Sequence, residues 1–207
     1  MAISDIELGQ IYSLGVGKLA WLGDDGSGTA NSRQMIAQTM PFELFNSSFS
    51  FSTGGMAFSP IVLSQGQTIR NISFIASNSR SGGTHLWYAL YDDGRGSSSA
   101  NQLALLAQTA DNTGAALMSA NVVFSQALTT PYTTTYSGVY NIAIGSTSSG
   151  QPTIYSMSCT GVTIPLSTYG NGAVVGGATA GSGLTSQAPN PSGAITVLGG
   201  TIYGYVS

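Results

Sequence analysis

The sequence predicts an all-β fold: an antiparallel β-sandwich, jelly-roll-like, preceded by an extended N-terminal arm. Three observations predict it. Charged residues make up only 6% of the 207 residues, whereas exposed helix faces normally carry Lys, Glu and Arg. Gly, Ser, Thr, Ala, Asn and Gln take their place, and these suit sheets and turns. Apolar runs are short, bounded by turn clusters and without a long amphipathic stretch, which reads as about eight to ten strands.

Residues 1–40 read as arm and linker. Ile3, Ile6, Leu8, Ile11, Leu14, Val16, Leu19, Trp21 and Leu22 fit no single period, and Gly9, Gly15 and Gly17 oppose a helix. Such a segment cannot bury its own apolar side chains. Ile6, Leu8, Ile11, Leu14, Leu19 and Trp21 are therefore its expected anchors on a partner or on the assembled body. Asp24-Asp25-Gly26-Ser27-Gly28 is a hinge, and Asn31 to Met40 a short helical or irregular connection ending before Pro41.

Residues 41–207 read as the sandwich. Phe42, Leu44, Phe49, Phe51, Met56 and Phe58 are broken by Asn46-Ser47-Ser48 and Gly54-Gly55, and Ile61 to Leu63 follow. Ile69 to Ala76, polar Ser77 to Gly83, and Leu86 to Tyr91 read as a hairpin stopped by Asp92-Asp93-Gly94. Alternation sends Leu86, Tyr88 and Leu90 to one face and Trp87, Ala89 and Tyr91 to the other. A strand apolar on both faces needs cover on both sides, from a partner sheet and from a subunit, a loop or a ligand. Leu103 to Thr109 is a strand, Val122 to Phe124 a short one, and Leu128 to Tyr132 extended. Gly138 to Gly145 alternates most cleanly, with Tyr140, Ile142 and Ile144 on one face. Ile154 to Ser158 and Gly161 to Leu166 are shorter candidates. Tyr169 to Gly183, rich in Gly and Ala, reads as a loop or a segment packed closely in an oligomer. Ile195 to Leu198 and Thr201 to Val206 end the chain as strands.

Composition also narrows function. A net charge of −3 with only five basic residues argues against nucleic-acid binding. So little charge protects the surface weakly against association, which points to an assembly. No basic-then-apolar leader marks the N-terminus, so synthesis in the cytoplasm without secretion is expected. No apolar run approaches the ~20 residues of a membrane span. The single cysteine, Cys159, allows no intrachain disulfide and reads as a small apolar residue.

Little catalytic chemistry is visible. His85 is the only histidine, and its ordinary reading is a turn-edge residue. Without a Cys/His cluster no zinc site is expected. Asp92, Asp93 and Asp111 would need to meet across a cleft to cut a glycan, with two carboxyls about 5–10 Å apart. Calcium at Asp92 and Asp93 lacks the full Asp-x-Asp-x-Asp-Gly spacing. Gly15-Val16-Gly17-Lys18 is no phosphate loop: Tyr12 stands where its first glycine belongs, and Leu19 replaces the hydroxyl. Aromatic side chains remain, and rings of this kind stack on sugars. Trp87, Tyr88, Tyr91 and Arg95 form the densest cluster, with core as the ordinary role for Trp87 and Tyr88.

Five segments carry a resemblance. They are Ile72-Ser73-Phe74, Trp87-Tyr88-Ala89-Leu90-Tyr91-Asp92, Leu106-Ala107-Gln108-Thr109-Ala110-Asp111, Leu128-Thr129-Thr130-Pro131-Tyr132, and Tyr136 through Ile144 with its Tyr-x-Gly-x-Tyr start. In this order they resemble a β-sandwich domain of bacteriophage minor tail and other virion-surface proteins, actinobacteriophage-like. The similarity covers well under half the chain. It implies a non-enzymatic virion structural component, in the tail or as a head decoration or fibre. It further implies other virion proteins as partners, and contact with host-surface or cell-wall glycan. It brings no catalytic residue, metal or cofactor. Symmetric attachment sites on a virion make a homotrimer the expected oligomer. The alternatives are a carbohydrate-binding module and a small glycan depolymerase.

Overall fold

The computed structural model describes residues 35–41, 44, 46–50, 52–79, 81–96, 102–113, 119–158, 177–197 and 200–207. These form thirteen strands and no α-helix. In chain order they are β1 (Ala37–Gln38), β2 (Ser47–Ser50), β3 (Gly55–Leu63), β4 (Thr68–Asn78), β5 (Ser81–Tyr91), β6 (Leu105–Gln108), β7 (Val123–Thr133), β8 (Gly138–Gly150), β9 (Thr153–Ser158), β10 (Ala178–Ala180), β11 (Ile195–Val197), β12 (Gly200–Ile202) and β13 (Gly204–Val206). Among the described residues no helix is long and apolar enough to cross a membrane.

Two antiparallel sheets pack face to face. One runs β1-β13-β4-β9-β12, with β7 also on β4 and β2 also on β9; the other runs β11-β10-β3-β8-β5-β6. Eight of the strands, taken in chain order as β1, β3, β4, β5, β6, β7, β8 and β13, fall into a recognisable pattern. The first sheet holds the first, eighth, third and sixth; the second holds the second, seventh, fourth and fifth. Two interlocked Greek keys of this order are a jelly roll. The expected sandwich class is therefore present.

Alternation explains the main core. Ile72, Phe74 and Ala76 of β4 face Leu86, Tyr88 and Leu90 of β5 and Tyr140, Ile142 and Ile144 of β8. Phe74 meets Tyr88 edge-on across the sandwich, centroids 5.0 Å apart. A second cluster lies outside the other sheet: Trp87, Ala89, Tyr91, Met56, Phe58 and Ala143, under Ala188, Leu184 and Leu103. The cover that β5 needs on this side comes from the chain's own residues 184–192. They are tied down by Trp87 Nε1 to the Thr185 carbonyl (2.8 Å), Ala188 N to Gln108 Oε1 (2.9 Å) and Ser192 N to the Leu103 carbonyl (2.9 Å). A smaller cluster of Met40, Ile75 and Tyr203 lies outside the first sheet.

Several expectations are corrected. β4 and β5 do not pair: β4 bonds β7, β13 and β9, while β5 bonds β8 and β6. The supposed hairpin is a crossing between sheets, and its polar turn is shorter, because Ser81 to His85 pair with β8. Ala37–Gln38, placed in an irregular connection, is a strand on β13, so the sheet begins before residue 41. Val122–Phe124 and the extended Leu128–Tyr132 join in one strand whose register slips opposite Ile69 and Asn71. Within the expected Gly/Ala loop, Ala178–Ala180 is a strand on β3, where small side chains fit opposite Phe58 and Met56. The arm anchors Ile6, Leu8, Ile11, Leu14, Leu19 and Trp21, together with Cys159 and the 161–166 candidate strand, lie outside the described residues.

Candidate functional site

The three aromatic residues put forward for sugar contact are core. Trp87, Tyr88 and Tyr91 expose 1%, 0% and 0% of their surface, so no ring face is open to a ligand. Two belong to the second cluster because residues 184–192 close over them: the Tyr91 hydroxyl donates to the Pro189 carbonyl at 2.9 Å. Burial pushes that hydroxyl above its ordinary titration range.

Arg95 alone of the four is exposed, at one end of the sandwich. Asp93 grips its guanidinium through Nε (2.7 Å) and Nη2 (2.5 Å). The guanidinium lies 3.7 Å from the centre of the Tyr136 ring, and the other face of Tyr136 stacks on Tyr140 at 4.4 Å. Tyr140 donates to the Tyr136 carbonyl at 3.0 Å, and Tyr132 meets Tyr140 edge-on. This stack joins two of the resembling segments, those holding Tyr132 and Tyr136–Tyr140, to the loop of Asp93 and Arg95. Both faces of Tyr136 are used, so it offers no sugar platform. Burial raises the Asp93 carboxyl, but the hydrogen bonds and charge of Arg95 together outweigh it and hold the group below its ordinary value. Burial and the neighbouring Asp93 charge push the Tyr136 hydroxyl up.

The carboxylates do not form a cleft. Asp92 is buried and accepts the N–H groups of Gly94, Ala104 and Gly96 at 2.9, 2.8 and 2.6 Å. It organises a loop, and its donors are the ones a calcium ion would displace. Asp111 lies beside Leu86, six residues earlier on β5, roughly 20 Å away at strand rise. The trio imagined for glycan cleavage therefore does not converge. Among the described residues no group of three His, Cys, Asp or Glu is placed to hold a metal ion.

A different arrangement surrounds Asp111. His85 Nδ1 is 2.6 Å from its Oδ2, and the Leu86 N–H donates to its Oδ1 at 3.0 Å. His85 is thus a strand residue paired with a carboxylate rather than a free turn-edge side chain. Asp111 lies, with Ala110, Asn112, Thr113, Gln126 and Ala127, among the described residues that line an open depression of about 370 Å³. The depression exists because the two sheets meet edge to edge here, through the lone pairing of Thr109 with Leu128. Thr109 Oγ1, which accepts the Tyr88 N–H, stands 2.9 Å from Gln126 Oε1. Gln126 Nε2 is buried and has no hydrogen-bond partner among the described residues. Sequence reading singled out Asp111 but missed Gln126 and Asn112. Lone amides in polar strands carry no pattern.

No protein-family model matches the chain, and no curated protein matches it.

Proposed function

We propose that this chain is a non-enzymatic structural component of a bacteriophage virion, a minor tail, fibre or head-decoration protein. Its leading segment fixes it to the particle, and the sandwich is exposed, as a homotrimer in the first instance. One observation supports this most: the segments that resemble virion-surface domains supply five strands, β4 to β8, of an eight-strand jelly roll, an architecture that capsid and lectin domains use. That support is an analogy of fold, because one fold serves many functions. The roles of the segments fit it. Trp87 and Tyr91 seat a covering segment, Asp92 ties a loop, and Tyr132, Tyr136 and Tyr140 form a pillar. Each serves architecture.

The test is gold-labelled antibody raised against residues 35–207, applied to purified particles of the phage that encodes the chain. Regular gold at the tail or head is the expected result. Antigen confined to the soluble fraction, with bare particles, would overturn the reading.

A second reading, a carbohydrate-binding module within or apart from a virion, is favoured by the polar depression at Asp111 and Gln126. The two are compatible where the virion component touches host glycan.

A further inference from the structure

We infer that Asn78 is a site of spontaneous modification: its side chain closes on the Ser79 backbone nitrogen to a succinimide, which water opens to aspartate or isoaspartate. The inference is independent of the virion and glycan readings.

The geometry follows from where β4 ends. Asn78 is its last residue and is exposed, and the register against β9 slips between Ala76 and Asn78. Ser79, exposed and past the ladder, donates its N–H to Asn78 Oδ1 at 2.8 Å. The amide carbon lies one C=O bond from that oxygen, so the Ser79 nitrogen stands within about 4 Å of Asn78 Cγ. That is close to the ~3–3.5 Å of a near-attack arrangement. The bond between Ser79 and the Asn78 side chain is local, and releasing it breaks no strand pairing.

The step balances with water alone. A solvent base takes the Ser79 amide proton, and the nitrogen attacks Asn78 Cγ. The N–Cγ bond forms, the Cγ–Nδ2 bond breaks, and Nδ2 leaves as ammonia, taking up the proton. Water then adds to one carbonyl of the five-membered ring. Breaking the new N–Cγ bond restores the ordinary backbone with an aspartate. Breaking the original peptide bond leaves isoaspartate, with one more methylene in the main chain. Either product adds a carboxylate to a chain of net charge −3, at the point where β4 leaves for the other sheet.

The chain carries its own control. Asn46-Ser47 is the same dipeptide and is also exposed. There Asn46 Oδ1 accepts the Ser158 N–H at 2.9 Å, and Ser47 is held in β2 opposite Ser156. Closing a ring at Asn46 therefore requires strand pairs to break. Asn71 precedes buried, β-branched Ile72 in mid-strand, and Asn190 precedes Pro191, which has no N–H to offer. The dipeptide ranks Asn46 and Asn78 equally, and the fold separates them.

The experiment incubates the full chain at mildly alkaline pH, native and in guanidinium chloride, and then cuts it with trypsin. Cleavage after Arg33, Arg70 and Arg80 puts Asn46 on peptide 34–70, and Asn71 with Asn78 on peptide 71–80. Electron-transfer fragmentation locates each product and tells isoaspartate from aspartate. In the native chain Asn78 is expected to react at least about five-fold faster than Asn46, because its carboxamide alone of the two is held near attack. Both products should form, and in guanidinium the two rates should come together. Equal native rates, or a faster Asn46, would overturn the inference. So would aspartate without isoaspartate, which means direct hydrolysis and no ring. A lead for Asn78 that persists in guanidinium would overturn it too, since flanking sequence and not the fold would then be the cause.

Discussion

Trp87 packs against Gly145, its cross-strand partner, and a side chain at that glycine would meet the indole at 2.2–2.5 Å. The ring cannot retreat, because residues 184–192 hold its Nε1. Gly145→Ala should therefore cost about 1–3 kcal/mol by overpacking, read as a lower midpoint in urea with an unchanged slope. Asp93 gives a test of charge. Arg95→Gln removes the guanidinium charge and its side-chain hydrogen bonds, which lower the Asp93 carboxyl, and leaves the backbone N–H bond from residue 95 in place. The Asp93 ¹³C carboxyl titration should then move upward. The sign for stability follows from linkage. In the native chain the lowered carboxyl contributes above the unfolded carboxylate value, and that contribution fades as pH falls through the folded one. The variant should lose this fall, so acid unfolding curves of the two chains should converge as pH drops. At this scale the sequence was half legible. Period two assigned Tyr88 and Trp87 to opposite faces correctly. It could not say that Trp87 is capped by residues almost a hundred positions later, so a buried indole resembled an exposed platform. Gln126 was illegible for another reason: its meaning comes from Thr109 and an edge gap that no local pattern encodes.

Strand boundaries decide where the folded unit starts. β1 hangs on β13 through Ile36 N to the Val206 carbonyl (2.8 Å) and Thr39 N to the Gly204 carbonyl (2.9 Å). Thr39 Oγ1 adds a bond to the Ile202 carbonyl at 3.0 Å, and Met40 is buried against Ile75 and Tyr203. A chain starting at Met35 keeps all of these, and one starting at Pro41 keeps none. The 35–207 fragment is expected to unfold cooperatively. The 41–207 fragment should be at least about 3 kcal/mol less stable, taking about 1 kcal/mol per lost hydrogen bond plus the apolar burial. Equal midpoints in guanidinium would contradict this. The same contrast shows what pattern can and cannot supply about elements. β8 was legible because its large side chains, Tyr140, Ile142 and Ile144, alternate with small or polar ones, although both faces are buried. β1 was not, since two residues show no period. The β4–β5 connection was misread because alternation specifies faces and not partners, and a crossing between sheets has the same turn chemistry as a hairpin.

Association is a property of the whole molecule, and the charge inventory governs its form. Five basic and eight acidic residues are all the charge the 207-residue chain carries. Among the described residues Asp92 is buried and Arg95 is paired with Asp93, which leaves little free charge at the surface, and what is left is screened over ~10 Å at 0.1 M salt. Repulsion between copies is then weak at physiological ionic strength, and surface ion pairs contribute little to any interface. Any contact between copies must then rest on apolar and hydroxyl groups, whose strength does not fall as simple salt is added. Kosmotropic salts should strengthen them instead. Sedimentation velocity of the full chain is accordingly expected to show a coefficient that rises with protein concentration toward a trimer and is the same at low and high sodium chloride. Sulfate should shift the curve toward assembly. A species that dissociates as sodium chloride rises would mean that its few charges are gathered at the interface. A single copy at every concentration would leave the low charge as a feature of a polar, hydroxyl-rich surface that needs no partner.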